Sequence, residues 1–139
     1  MAGRDAAPER EIFAGGAQVS ALGDINLDGF ADVAIGDPDA VSSTGRVALY
    51  AGAATVLTTS PTLVLSASGS SSFGVGVGGS GDLNGDGRLD LLIGASQTSG
   101  DTGTSYVFYG DSSGISASAG TTLTGTVAGA GFGRWVTRY

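Results

Sequence analysis

The sequence contains no cysteine, no histidine and no lysine. The absence of cysteine excludes a disulfide framework and thiolate metal sites. The absence of histidine excludes a Ser–His–Asp triad and removes the most frequent zinc ligand and general base. The sequence also has no apolar run long enough to span a membrane, and its start lacks the apolar core of a signal peptide. What remains is a chain of 139 residues with 26 glycines and 41% hydrophobic residues.

The few charged residues are mostly acidic and are unevenly distributed. Thirteen acidic residues and six arginines give a net charge of −7. This balance argues against nucleic acid as a partner, because binding to phosphates requires a basic surface. Six of the thirteen acids lie in two nine-residue segments, Asp24–Asp32 and Asp82–Asp90. Like charges held so close repel one another, and the clustering therefore requires a cause.

The two acidic segments belong to a repeat with a period of 58 residues. Gly23–Gly36 aligns with Gly81–Gly94 without a gap, and the same offset relates Gly45 to Gly103. Each repeat contains four short apolar runs separated by Gly, Ser, Thr and Asp, which is typical of strands joined by turns, and no segment has a convincing helical period. The predicted strands are Ala17–Ala21, Ala31–Ile35, Val47–Ala51 and Thr62–Leu65 in the first repeat, and Phe73–Val77, Leu89–Ile93, Ser105–Tyr109 and Thr121–Thr126 in the second.

Four strands per repeat are typical of a β-propeller blade. We therefore predict an all-β chain of two four-stranded antiparallel blades with one extra strand at Phe132–Val136, where the Phe-Gly of Phe73 recurs. Propeller rings typically have about four to eight blades, so we expect homo-oligomerisation into a trimer or tetramer to complete the ring. The predicted organisation is an N-terminal arm at 1–14, blade 1 at 15–72, blade 2 at 73–131 and the first strand of a third blade at 132–139.

Both acidic segments read Asp-x-Asn-x-Asp-Gly-x-x-Asp, a pattern that predicts a calcium site. Calcium takes about six to eight oxygen ligands. Side chains at positions 1, 3 and 5 can turn toward one centre, while the glycine at position 6 allows a sharp turn with positive φ. A backbone carbonyl at position 7 and a carboxylate at position 9 complete the shell. The predicted ligands are Asp24, Asn26, Asp28, Phe30 and Asp32 in the first loop, and Asp82, Asn84, Asp86, Arg88 and Asp90 in the second.

Three other interpretations compete with calcium. An EF-hand requires a glutamate at position 12 and flanking helices, but Ile35 and Ile93 occupy that position inside apolar runs. Magnesium prefers a tight octahedron and keeps several waters. Asp-Gly and Asn-Gly sequences also form plain turns without any metal. Two loops in register with matching residues favour calcium, in a mainly structural role.

At these residues the chain resembles the FG-GAP repeats of the integrin α-subunit propeller. The match comprises Phe73-Gly74, Gly81–Asp90 and Ile93-Gly-Ala95, and it extends over about residues 15–136. The resemblance implies propeller blades with calcium in the first hairpin of each. It also implies an extracellular or cell-surface location and binding of proteins or, in some lectins of this fold, of sugars.

The leading functional interpretation is a non-enzymatic, calcium-stabilised propeller fragment with a structural or protein-recognition role. The alternative is a lectin-like binder with a pocket between blades, although the tyrosines Tyr50, Tyr106 and Tyr109 are expected to pack between blades rather than to stack on a sugar. Trp135 and Tyr139, on the incomplete third unit, are expected either at an interchain contact or exposed.

Two further signals have a plain structural interpretation. The Gly-x-Gly-x-x-Gly at Gly74–Gly79 does not indicate a dinucleotide site, because an acidic loop rather than a helix follows it. Paired carboxylates could hydrolyse glycosides, but the acids outside the two loops are expected to be solvated. This expectation concerns Asp37, Asp39, Asp101 and Asp111.

Overall fold

The computed structural model describes residues 18–136, apart from the side chain of Ser80. The predicted arm at 1–14, Ala17 and Tyr139 lie outside the described residues. Within that range the chain forms ten strands and two short helical turns. The strands are β1 Gln18–Gly23, β2 Asp32–Asp37, β3 Arg46–Tyr50, β4 Leu63–Leu65, β5 Phe73–Gly81, β6 Asp90–Ala95, β7 Thr104–Phe108, β8 Gly110–Asp111, β9 Gly114–Ile115 and β10 Thr121–Thr124, and the turns are α1 Ala40–Ser43 and α2 Thr98–Asp101.

The first four strands form one antiparallel sheet in the order β1-β2-β3-β4. β2 is one of the two inner strands, and its Val-Ala-Ile run packs on both faces of the sheet, Ala34 in one apolar cluster and Val33 and Ile35 in another, which explains why it is apolar without alternation. A bulge between Ala21 and Gly23 shifts the register of β1 on β2. The predicted all-β architecture and the four strands of this repeat are confirmed, with boundaries that differ by one or two residues.

Four strands of the second repeat form an equivalent sheet in the order β10-β7-β6-β5. β5 extends to Gly81, four residues beyond the predicted end at Val77. Gly78 and Gly79 have low strand propensity, yet they pair with Leu92 and Leu91 of β6. Glycine is required at position 79 because a Cβ there would lie 3.1 Å from the backbone of Leu22 in the first sheet. Tertiary crowding, rather than local propensity, selects glycine here.

The two sheets pack face to face around one apolar core. β5 lies against β1 and β2 of the first sheet. The ring of Phe73 is fully buried between the sheets, 5.5 Å from the ring of Tyr106 and 6.1 Å from that of Phe108. Such tilted and edge-on aromatic pairs stabilise beyond their buried area. Leu22, Leu49, Leu65, Leu91 and Ile93 complete the centre of this core.

Four elements were not predicted from the sequence. β8 and β9 form a two-stranded hairpin after β7. α1 and α2 are tight turns rather than true helices, because each contains residues with left-handed backbone angles. Val41 and Ser42 have φ of 53°, and Ser99 has φ of 56°.

Residues 18–136 contain no helix of the length and apolarity needed to cross a lipid bilayer.

The extra strand predicted at Phe132–Val136 is not formed in the structure. Phe132 makes a single parallel bridge to Gly103, which repeats the bridge between Phe73 and Gly45 one sheet earlier. The segment from Phe73 becomes a strand because β6 pairs with it. Within residues 18–136 the segment from Phe132 has no corresponding strand beside it, so only its first contact with the preceding sheet is present.

Candidate metal loops

The two acidic segments occupy the same place in both sheets. The first loop, residues 24–31, joins β1 to β2, and the second, residues 82–89, joins β5 to β6. Gly29 has φ of 94° and Gly87 has φ of 86°. The positive φ predicted at position 6 is therefore confirmed in both loops, and so is the strand–loop–strand setting that excludes an EF-hand.

In the first loop, the polar side chains hold the loop's own backbone. Asp24 accepts hydrogen bonds from the N–H groups of Asp28 and Gly29, at 3.0 and 2.7 Å. Asn26 Oδ1 accepts a bond from the same Asp28 N–H at 3.1 Å, and Asp28 Oδ1 accepts one from Phe30 N at 2.9 Å. Side chains at positions 1 and 3 thus direct oxygens toward a common point at the amide of position 5.

The second loop repeats this geometry. Asp82 Oδ1 accepts bonds from the N–H groups of Gly85 and Asp86, at 2.7 and 3.0 Å, and Oδ2 accepts one from Gly87 N at 2.7 Å. Asn84 Oδ1 also accepts from Asp86 N, at 3.2 Å. The N–H of Gly87, followed by the other loop amides, holds the pKa of Asp82 below its ordinary value. These donors favour the ionised form of the carboxylate, which is also the form that binds cations.

The aspartates at position 9 have a second role that the sequence did not reveal. Asp32 is fully buried, and its two oxygens accept N–H groups from Ile25 at 2.8 Å and from Gly52 at 2.9 Å. In the second sheet, Asp90 bonds Leu83 N at 2.6 Å and Gly110 N at 2.8 Å. Each carboxylate therefore ties its loop to the segment that follows the third strand of the same sheet.

Calcium fits the chemistry of these loops. All the predicted ligands offer oxygen, which a hard cation prefers. An ionised carboxylate has about four lone-pair sites, so the one to three N–H bonds that these carboxylates accept leave capacity for a metal. Among residues 18–136, however, no three acidic side chains lie close enough together to form a ready-made metal cluster. The ligand assignments, including the carbonyls of Phe30 and Arg88, therefore remain predictions.

Arg88, the counterpart of Phe30 in the second loop, makes a hydrogen bond to the β8–β9 hairpin. Its Nη1 donates to the carbonyl oxygen of Asp111 at 2.9 Å. The guanidinium is thus held by the β8–β9 hairpin. Hydrogen bonds from Ser113, together with the charge of Arg88, lower the pKa of Asp111.

The prediction that Asp37, Asp39, Asp101 and Asp111 are solvated is wrong for Asp37. Asp39, Asp101 and Asp111 are exposed. Asp37 instead lies at the end of β2, fully buried and opposite Arg46 of β3. Burial raises the pKa of Asp37, against the hydrogen bond from Asp39 N at 3.3 Å and the positive charge of Arg46. The sequence places this residue after an apolar run and before Pro38, which is typical of a loop, so no local signal indicated burial.

A cleft of about 240 Å³ lies between the first sheet and the β8–β9 hairpin. Its polar groups include the side chains of Asn26, Thr62 and Ser113. Tyr50 also borders it but is only 4% exposed, and Tyr106 is buried in the main core. Four apolar side chains complete most of the remaining wall of the cleft, namely those of Ile25, Leu49, Leu63 and Ile115. Trp135 does not line this cleft and is 83% exposed.

Comparison with known proteins identifies the same two repeats. The sequence profile of the FG-GAP repeat matches residues 15–50 and 73–108, just over half of the chain. The chain is 39% identical over 82 residues to integrin alpha-7 from Rattus norvegicus and 40% identical over 86 residues to integrin alpha-2 from Mus musculus. Integrin alpha-5 from Xenopus laevis is 36% identical over 86 residues. Each match covers 58% of this chain but only 7–8% of the relative, so the chain spans less than a tenth of their length.

Proposed function

The chain belongs to the FG-GAP repeat family, and on that premise we propose that it is a calcium-binding pair of β-propeller blades with a structural or protein-recognition role. The observation that carries this proposal is the repetition of one loop geometry. Two loops with identical acidic positions hold their side chains in the same hydrogen-bonding pattern at the same place in two sheets.

Calcium would supply positive charge to offset the three carboxylates that each loop sequence carries. The first ion would be held by Asp24, Asn26, Asp28, the carbonyl of Phe30 and Asp32, and the second by Asp82, Asn84, Asp86, the carbonyl of Arg88 and Asp90. Bound in this way, the ion would stiffen the connection between the first two strands of each sheet. The role we propose is structural and non-enzymatic, because the other acids within residues 18–136 are either solvated or, like Asp37, buried next to an arginine.

We expect calcium to raise the thermal unfolding midpoint, whereas magnesium at the same concentration raises it much less. Ligand at about a hundred times its dissociation constant adds roughly 2.7 kcal/mol per site, which moves the midpoint by several degrees. The measurement is thermal unfolding in calcium, magnesium and chelator at fixed protein concentration.

Asp86→Ala is the matched variant for this experiment. It removes a predicted ligand of the second loop and leaves the first loop intact, so it should reduce the calcium shift by about half. Its stability should fall further in calcium than in chelator. Equal losses in both buffers would contradict calcium binding by the second loop.

We propose that homo-oligomerisation completes the propeller, and the two sheets offer a direct comparison in support. Leu65 is 1% exposed and Phe73 is fully buried, because both pack at the junction with the second sheet. Their equivalents one repeat later, Leu123 and Phe132, are 46% and 43% exposed. The same positions are thus covered where a following sheet exists and open where none is described.

The open surface of the second sheet forms an apolar groove of about 360 Å³, lined in part by Leu123, Phe132 and Trp135. We propose a second copy of this chain as its occupant. The repeat makes the chain complementary to itself. The apolar positions on β2 and β3 that face away from the main core have counterparts one repeat later, and in the second sheet those counterparts already pack on the first sheet. The outward face of the first sheet in one copy can therefore pack on the open surface of the second sheet in another copy. Such a head-to-tail contact closes into a ring when its rotation permits, as a trimer or tetramer.

Leu123→Asp is expected to reduce the solution mass to that of one chain, because it places a charge in the groove. Val41→Asp is the control, since Val41 is also well exposed, at 65%, but lies on the α1 turn away from this groove. Sedimentation of the wild type and both variants measures the effect. A wild type that sediments as one chain at high concentration would contradict ring closure by self-association.

A carbohydrate-binding role is the second candidate, favoured by the cleft between the first sheet and the β8–β9 hairpin. Its apolar wall and three polar side chains resemble the composition of small-ligand sites. Binding on a glycan array that is lost on Thr62→Ala but kept on Asp86→Ala would favour this role. Under either proposed function we expect an extracellular or cell-surface location, on the basis of the family.

A further inference from the structure

The two metal loops differ at the residue that follows the asparagine. Asn84 is followed by Gly85, whereas Asn26 is followed by Leu27. The backbone is otherwise the same, because Gly85 has φ of 78° and Leu27 has φ of 60°. Both asparagines are exposed, and the Oδ1 of each accepts a hydrogen bond from the amide N–H two residues later, at 3.2 Å for Asn84 and at 3.1 Å for Asn26. The chain therefore contains two asparagines at equivalent loop positions, one followed by glycine and the other by leucine.

We propose that Asn84 is a site of spontaneous deamidation and that Asn26 is not. In this reaction the backbone nitrogen of Gly85 loses its proton to solvent and forms a bond to the side-chain carbonyl carbon of Asn84. The side-chain nitrogen leaves as ammonia, and a five-membered succinimide results. Water then opens the ring at one of its two carbonyls, which produces either aspartate or isoaspartate.

Glycine promotes the attack because it has no Cβ and leaves the nitrogen accessible over a wide range of backbone angles. In the second loop the chain must move before it can react. Gly85 N is held by Asp82 Oδ1 at 2.7 Å, and Asn84 Oδ1 is held by Asp86 N. Residues 82–87 are all exposed, so this opening separates no buried apolar side chains and is accessible by local fluctuation.

The inference rests on the proposed function in one respect, the effect of calcium. A cation bound to Asp82, Asn84 and Asp86 would keep the loop closed and slow the reaction. Isoaspartate adds a methylene to the backbone between positions 3 and 4, which displaces the glycine and the carboxylates that follow. The second loop would then lose its affinity for calcium with age, while the first loop would keep its own.

The test uses the wild type and two reciprocal variants, incubated at neutral pH in chelator and in calcium and analysed by peptide mass spectrometry. Gly85→Leu gives the second loop the residue of the first, and the positive φ of Leu27 shows that leucine is tolerated there. Leu27→Gly makes the opposite exchange. In chelator we expect conversion at Asn84 but not at Asn26 in the wild type, and about tenfold slower conversion at Asn84 in Gly85→Leu, equivalent to about 1.4 kcal/mol in the barrier. We also expect new conversion at Asn26 in Leu27→Gly.

Equal rates at the two asparagines of the wild type, or no conversion at Asn84 in chelator, would overturn the proposal. If Asn84 converts at the same rate in calcium as in chelator, and calcium causes no thermal shift, the modification site is supported and the proposal that the loop binds calcium is contradicted. Conversion at Asn84 that is unaffected by calcium despite a full thermal shift would overturn the proposed protection. The failure of the modification and the failure of calcium binding thus give different results.

Discussion

Replacing Asp32 with alanine is expected to lower the free energy of unfolding by about 3–5 kcal/mol, in chelator as well as in calcium. Asp32 is fully buried, and its oxygens accept the N–H groups of Ile25 and Gly52. Alanine would leave both donors without that partner, and an unsatisfied buried donor costs about 1–3 kcal/mol in addition to the lost charge-assisted bond. Urea unfolding in both buffers measures the effect, provided that the slope with urea stays unchanged.

Asp28→Ala separates this structural role from metal binding. Asp28 is an exposed loop residue, and its side chain accepts one bond, from Phe30 N at 2.9 Å. The loss in free energy of unfolding for Asp28→Ala should therefore be small in chelator and larger in calcium, whereas the loss for Asp32→Ala should be large in both buffers. A small loss of stability for Asp32→Ala in chelator would show that the buried carboxylate does not tie the loop to the segment that follows the third strand.

Gly36→Ala is expected to destabilise the chain by about 3–4 kcal/mol through a steric clash between the sheets. A Cβ at Gly36 would collide with the carbonyl oxygen of Gly74 and would lie 2.9 Å from Val77 Cγ2, both on β5. Overpacking typically costs about 1–3 kcal/mol and more where the neighbour is backbone that cannot move. β5 is such a neighbour, because it is paired along its length with β6 and lies against the first sheet.

Gly94→Ala is the matched control, since Gly94 occupies the same position in the second repeat. Its added Cβ would meet the backbone of Gly133, which belongs to an irregular segment rather than to a strand. That segment can shift, so we expect a loss of only about 1 kcal/mol. Chemical denaturation of both variants at one protein concentration provides the comparison. Equal losses for the two would contradict the assignment of the first effect to rigid packing between sheets.

The sequence was sufficient to predict elements whose signals are local and repeated. The 58-residue offset related the acidic segments, and the apolar Val33-Ala-Ile35 and Leu91-Leu-Ile93 runs indicated the inner strands. The conformation of Gly29 and Gly87 also followed from the sequence, because a side chain at positive φ is sterically costly in a tight loop. Short strands and turns are encoded by neighbouring residues, and repetition in a second copy strengthens the signal.

Elements that depend on distant partners were predicted less well. β5 ends at Gly81 rather than Val77, since its last pairs form against β6 and its glycines accommodate the first sheet. The segment at Phe132–Val136 has the sequence of a strand start but forms only one bridge, because strand formation needs a pairing partner. Asp37 has the sequence context of a loop acid, and only its place at the end of an inner strand buries it.

By itself, therefore, the sequence determined the family, the repeat, the β-class of the fold and the two loops that are candidates for calcium. Only the tertiary structure decided that Asp32 and Asp90 are buried ties between loop and sheet, that Phe73 fills the junction between sheets, and that Leu123 and Phe132 remain open. The physical reason is the range of the interactions. Turn geometry and strand pattern are set by residues close in the chain, whereas burial, hydrogen bonds over 20 residues and contacts between repeats arise only when the sheets come together.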